Sequence, residues 1–326
     1  MRLLNSLEEN VKVSVTFDIN KARLVHLDWV LRIEKALELG PDSAPCALQH
    51  YQDCELGLWL HGEGRSKYRQ YDDIRQLTVE HRRFHHAVEH LLLALHEGNK
   101  IKTRELLIGV RYMSKDIIYL LTLLELRTIE KQRTVQLGGG LFSFIDSLFA
   151  TESAWLEPPK AKDGSPSVDI TYARLAHLRW ASRLDHRFKN YGQGVALQSH
   201  DACDFGAWIQ RIGMKKYSDL EEIHLLDVVH KSFHEEAARI IRHLQNRHLQ
   251  RADEAYTDVQ NLSREIAWLL TILEYRLAPL EAVAASAARA APPAPSAQTQ
   301  IVQAAVVGPV NQLSPIMAVA EHLIGR

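Results

Sequence analysis

Apolar residues in this chain recur at helical spacing, in long runs broken by Gly- and Pro-containing stretches, and the order of those runs repeats once. Near residues 18–39, Leu24, Leu27, Val30, Leu31 and Ile33 share one helical face, and Gly40-Pro41 is the stop signal. The pattern predicts a short helix near 46–61, a longer one near 71–97 closed by Gly98-Asn99, and a Leu/Ile-rich one from about 100 to 132. A second set follows at roughly 169–190, 195–211, 218–249 and 251–277, with Ser218-Asp219-Leu220-Glu221 reading as a capping box before the third helix of that set. No alternating strand pattern bounded by turns breaks the series. The expected fold class is all-α, two tandem four-helix bundles joined by a Gly/Pro-containing linker.

The boundaries follow from composition. The first bundle is expected at 1–132 and the second at 168–280, with a linker at 133–167 holding Gly138-Gly139-Gly140, Pro158-Pro159 and Gly164-Ser165-Pro166. Within the linker, Leu141, Phe142, Ile145, Leu148 and Phe149 make one apolar face of a short helix. That helix either packs on a bundle or docks a partner or a membrane surface. The stretch 281–326 begins Ala/Pro/Ser-rich, a composition that cannot build a core. It regains Ile316, Met317, Val319, Leu323 and Ile324, either as a terminal helix folded back or as a partner-binding tail.

The repeat carries chemistry. His26, Cys54, His81 and His85 lie in HLDW, CELGLW and HRRFH, while His177, Cys203, His230 and His234 lie in HLRW, CDFGAW and HKSFH. The first histidines are 151 positions apart and the other three pairs are 149 apart, so one two-residue deletion relates the halves. Of 17 histidines and 3 cysteines in the chain, these are the ones that match. Three imidazoles and one thiolate form a closed tetrahedral set suited to zinc, so two Zn2+ per chain are expected. His81 and His85, four apart on one helix, can reach a common ion. Trp29 and Trp180, Trp59 and Trp208 are expected to pack beside the sites, and Gly57 and Gly206 to permit a close approach there.

Composition narrows the function. A formal net charge of −1 leaves no footprint for nucleic acid, and no stretch approaches the roughly 18 apolar residues of a membrane helix. Few cysteines and no secretory pattern at the N-terminus suggest a reducing cytoplasm. A zincin would need Glu after the first histidine of the pair, where Arg82 and Lys231 stand. Four protein ligands leave no open position for catalysis, and no catalytic or organic-cofactor motif is present. A non-enzymatic protein follows, one that either responds to zinc or to oxidation of the ligand sulfur, or uses zinc purely for stability as a scaffold.

The pattern His-x-x-Trp, Cys-x-x-Gly-x-Trp, His-x-x-x-His resembles the chemoreceptor zinc-binding (CZB) domain family, here in two tandem copies over roughly 17–130 and 168–277. The resemblance implies a bacterial cytosolic helical bundle whose His3Cys zinc regulates an output, with zinc and hypochlorous acid among the signals. Family members often act as dimers, so two copies in one chain imply an intramolecular pseudo-dimer that signals through a protein partner. The acidic residue that takes part in redox switching in some relatives has no clear counterpart, since Ala47 and Ala196 stand seven before each Cys.

Overall fold

Gly40 ends the first helix by entering the left-handed region, with φ of 99° and its amide bonded to Ala36 O at 3.1 Å. That helix, α1, spans Arg2–Leu39, longer than the apolar spacing predicted. The computed structural model describes residues 2–40, 49–136, 166–192 and 196–277, and the amphipathic stretch at 141–149 and the tail beyond residue 280 lie outside them. After α1 come α2 (Glu55–His61), α3 (Glu63–Tyr68), α4 (Asp72–His96) and α5 (Lys100–Gln136). The second series is α6 (Pro166–Lys189), α7 (Asp204–Trp208) running into a π-helical turn (Ile209–Gly213), α8 (Met214–Lys216), α9 (Glu221–Gln245) and α10 (Leu249–Leu277). The fold is all-α, with no strand among the described residues.

Three local expectations are corrected. Cys54 and Cys203 are not inside helices. Each is the extended residue capping the start of one, with φ, ψ of −70°, 158° and −79°, 155°. Residues 51–53, directly before Cys54, form a turn, and short α3 follows α2 as a separate helix. The capping box at Ser218 does not form either: Leu220 is the N-cap of α9 and no side chain caps it, while His224 Nε2 bonds the Ser218 carbonyl instead.

Each half packs its apolar stripe inward. Leu27, Val30 and Ile33 of α1 meet Leu77, Phe84 and Val88 of α4 and Ile117, Leu121 and Leu124 of α5. Their counterparts Leu184, Leu226, Phe233, Ile266 and Leu270, together with Trp180, lie in the second core. The tight α4–α5 turn uses Gly98 at φ 68°. In the second half Arg247 takes the same conformation at φ 58°, where an L side chain is strained by about 1 kcal/mol.

The fourth helices join the halves. Ala267, Trp268 and Ile272 of α10 enter the first core, and Leu126 of α5 packs with Leu175 and Leu178 of α6. Arg264 Nε donates to Asp116 at 2.5 Å and Lys115 pairs with Glu265. Lys115 and Arg264 are counterparts 149 apart, as are Asp116 and Glu265, so each half lends one base and one acid to the same contact.

Further along the same two helices lies a buried charged group. Arg23 donates to Glu125 at 2.6 Å and to Asn20 at 3.0 Å. Glu274 accepts from Asn20 at 2.6 Å and from Arg174 at 2.7 Å. Arg23, Glu125, Arg174 and Glu274 are all at most 2% exposed. Burial, then the nearby Arg174, lowers the pKa of Arg23, against the pull of the two glutamates.

Candidate metal centres

The turn before each cysteine is built around a glycine. A Cβ on Gly57 would lie 1.9 Å from Tyr51 O, and one on Gly206 would lie 1.7 Å from His200 O. The closest approach at both glycines is therefore to the backbone of the preceding turn, and at Gly206 the facing helix follows, with His230 Cε1 at 3.1 Å. It lets the Gly57 and Gly206 amides donate to Cys54 Sγ and Cys203 Sγ at 3.3 and 3.2 Å. In each half that amide aims the sulfur at the facing helix.

There the structure brings Cys54 together with His81 and His85, and Cys203 with His230 and His234, all donor atoms in each triad lying within 4.8 Å of one another. Cys54 Sγ is 3.3 Å from His81 Nε2, and Cys203 Sγ is 3.3 Å and 3.6 Å from Nε2 of His230 and His234. Sulfur and nitrogen ligands on one tetrahedral zinc stand about 3.6 Å apart, so the donor set fits that ion.

His26 and His177 stand beside the triads but do not join them at that separation. Both are buried on α1 and α6, with their rings against Phe84 and Phe233 at centroid distances of 4.9 and 4.7 Å. His26 Nε2 shares a 3.0 Å hydrogen bond with Ser114 Oγ of α5, and His177 Nε2 a 2.9 Å bond with Ser263 Oγ of α10. With the proton on Nε2, each ring donates to its serine and keeps the Nδ1 lone pair for a metal. An orienting partner of this kind is what metal-binding histidines usually have.

The sites are dry, and that sets their protonation. Burial, with neighbouring imidazoles adding to it, pushes His81 down to about 3 and His177 down to about 3. It takes His230 down to about 2, and His26 goes well below its ordinary value. Burial also lowers His85 and His234 to about 4, although hydrogen bonds to the backbone at Gln49 and Gln198 act against it. Cys54 and Cys203 are pushed up to about 11 by burial, partly offset by the amides that cap them. At neutral pH the metal-free centres hold neutral imidazoles and thiols, so loading a metal requires the loss of one proton per centre.

Of the four tryptophans, Trp29 and Trp180 take the expected place beside the triads. Trp29 lies 5.0 Å from the His85 ring, and Trp180 lies 4.2 Å from His234 while donating to Gln198 O at 3.2 Å. Trp208 is buried against Phe205, whereas Trp59 is half-buried beside Tyr68. Sequence reading missed Ser114 and Ser263, the aromatic floor Phe84 and Phe233, and the capping carbonyls. The signal was there in the repeat, since both the serines and the phenylalanines stand 149 apart. It missed one asymmetry as well. Tyr119 of α5 comes near Ser263, so the surroundings of the His177 contact extend into the other half. The counterpart of Tyr119 is Trp268.

Comparison with known proteins agrees with this geometry. The family model of the chemoreceptor zinc-binding domain matches residues 26–92, a span that runs from His26 through Cys54 to His85. The likeness covers that segment alone, and the description of the family is of a zinc-binding domain associated with chemoreceptors. No curated protein and no solved structure matches the chain. Among the described residues no helix is long and apolar enough to cross a membrane.

Proposed function

We propose that the chain is a zinc-binding regulatory protein with two His3Cys centres, His26/Cys54/His81/His85 and His177/Cys203/His230/His234, and that 168–280 is a second copy of the domain at 1–132, with 133–167 as linker and 281–326 as tail. The observation that carries this reading is the pair of Cys-His-His triads at equivalent positions. Zinc, when bound, would hold each sulfur as thiolate and tie the first helix of a half to its capped turn and its third helix. The chain's own residues prepare that site. Gly57 and Gly206 aim the sulfur, burial keeps the imidazoles unprotonated, and Ser114 and Ser263 fix the remaining rings from the fourth helices.

Those fourth helices give the centres something to control. The reciprocal ion pairs between α5 and α10 and the shared buried charges support an intramolecular pseudo-dimer. A change in zinc occupancy, or attack by an oxidant on Cys54 or Cys203, would release His26 or His177 and loosen Ser114 or Ser263 on the contact helices. A protein partner would read the altered pairing. Two free buried thiols suit a reducing cytoplasm.

The burial of both centres favours a second reading, in which zinc is permanent and the protein is a scaffold. Metal analysis with Cys54→Ala and Cys203→Ala, followed by capture of host proteins with and without chelator, separates the two. About two equivalents of zinc and a partner set that changes on chelation support regulation. An unchanged partner set favours the scaffold, and no cysteine-dependent zinc removes both readings.

A further inference from the structure

The two centres differ at their mouths. On the second, the half-buried ring of His200 faces the ligands, its centroid 6.5 Å from His230 and 6.3 Å from His234. His230 and His234 themselves are 4.6 Å apart, and rings sharing one tetrahedral ion stand about 5 Å apart. The His200 ring thus stands a little more than an ångström farther from these two rings than a co-ligand would. Its backbone is fixed independently, because its carbonyl sits under Gly206 and accepts from Cys203 Sγ at 3.5 Å.

At the first centre the neighbouring imidazoles are His50, which acts on His85, and His61, which acts on His81, and neither occupies the position of His200. The residue equivalent to His200 is Tyr51, whose ring packs on His50 at 4.3 Å under the Arg82 guanidinium at 5.6 Å. A neutral phenol is a poor zinc ligand. His50, one residue earlier, is exposed, and its Nδ1 accepts from the Gln52 amide at 3.4 Å. The ring that approaches a triad at the mouth of the second centre is therefore replaced at the first by a phenol capped with a cation.

We propose that His200 is an exchange ligand of the second centre, an imidazole that takes hold of the metal ion as it enters or leaves and makes this the fast-exchanging site of the pair. The proposal rests on the zinc reading of the second half. Zinc has no d-electron preference for one geometry and tolerates a fifth ligand, so an incoming imidazole can bind before a resident one departs. His200 adds such a partner on the solvent side of a shell that is otherwise closed and dry. The two centres then serve different purposes, the first holding zinc and the second following its availability.

The test uses the full chain with one centre disabled at a time. Cys54→Ala leaves the second centre and Cys203→Ala leaves the first. Each is loaded with zinc, checked by metal analysis and helical signal, and mixed with an excess of chromophoric chelator. The second centre is expected to release zinc at least tenfold faster than the first. Adding His200→Gln or His200→Tyr to the Cys54→Ala protein should slow release towards the first-centre rate, while the tetrahedral absorption of the cobalt-substituted protein stays unchanged. Adding Tyr51→His to the Cys203→Ala protein should speed it. Release rates that ignore both His200 substitutions overturn the proposal while leaving the zinc centre standing. A folded Cys54→Ala protein that takes up no zinc overturns the zinc reading of the second half, and the proposal with it.

Discussion

Ser263 of α10 holds His177 of α6 by a 2.9 Å hydrogen bond, and Tyr119 of the other half comes near the same serine. A histidine proposed as a ligand of one centre is therefore oriented by the helix that makes the contact between halves. Removing the hydroxyl should let the ring turn. Ser263→Ala, and Ser114→Ala at the first centre, are expected to weaken zinc binding at their own site by about 10- to 100-fold, in line with other orienting partners of metal-binding histidines. Competitive titration against a chelator of known affinity measures this. Tyr119→Phe should weaken the second centre less than Ser263→Ala does and leave the first unchanged.

Acid should destabilise the metal-free protein through the same histidines. His81, His85, His177, His230 and His234 have folded values between about 2 and 4, below the ordinary 6.5. The unfolded chain therefore takes up protons below pH 6.5 that the folded chain refuses. Stability from this source is complete above pH 6.5 and is lost as pH falls towards 4. Each histidine can contribute a slope of up to about 1.4 kcal/mol per pH unit, though coupling within a centre keeps the total below the sum. Urea midpoints in chelator at pH 8, 6 and 5 should drop steeply between the last two, and a flat profile would show that the imidazoles are not buried neutral.

The buried charges make a different prediction. Glu125→Ala leaves Arg23 buried without its 2.6 Å partner and should cost about 3–5 kcal/mol. Replacing both, Arg23→Met with Glu125→Leu, should recover most of that loss, because removing a buried pair together avoids the stranded charge. Denaturant melts of the single and double variants decide it.

At the capped turns there is no room for a side chain. Gly206→Ala places a methyl group against His200 O and within 3.1 Å of His230 Cε1, so the turn must move. The expected cost is at least about 1–3 kcal/mol of stability, with loss of zinc from the second centre only. Arg247→Gly, at its left-handed position, should do the opposite and stabilise by about 1 kcal/mol without touching zinc affinity.

The helices were legible because their apolar stripes are long and their stops are glycines, as at Gly40 and Gly98. Cys54 was misplaced because periodicity ran through the turn before it, and nothing in residue type marks an extended cap there. The ligand residues stood out because His and Cys are rare and their spacing repeats. Arg23 and Glu125, with Arg174 and Glu274, repeat just as faithfully. They are residue types that usually sit on surfaces, so only their burial in the folded chain shows their role. Serine is commoner still, and Ser114 becomes informative only once His26 is seen against it.

The base and acid that Lys115 and Asp116 offer to Glu265 and Arg264 meet within a single polypeptide. Two separate molecules held by the same contacts would drift apart on dilution, and their response would rise and fall with abundance. A tether turns that encounter into an intramolecular one, at an effective concentration reaching about millimolar for a short flexible link. Partnership here does not depend on copy number. Nor must the two members stay identical, so Tyr119 opposite Trp268 and His200 opposite Tyr51 are differences that a pairing of identical copies could never hold.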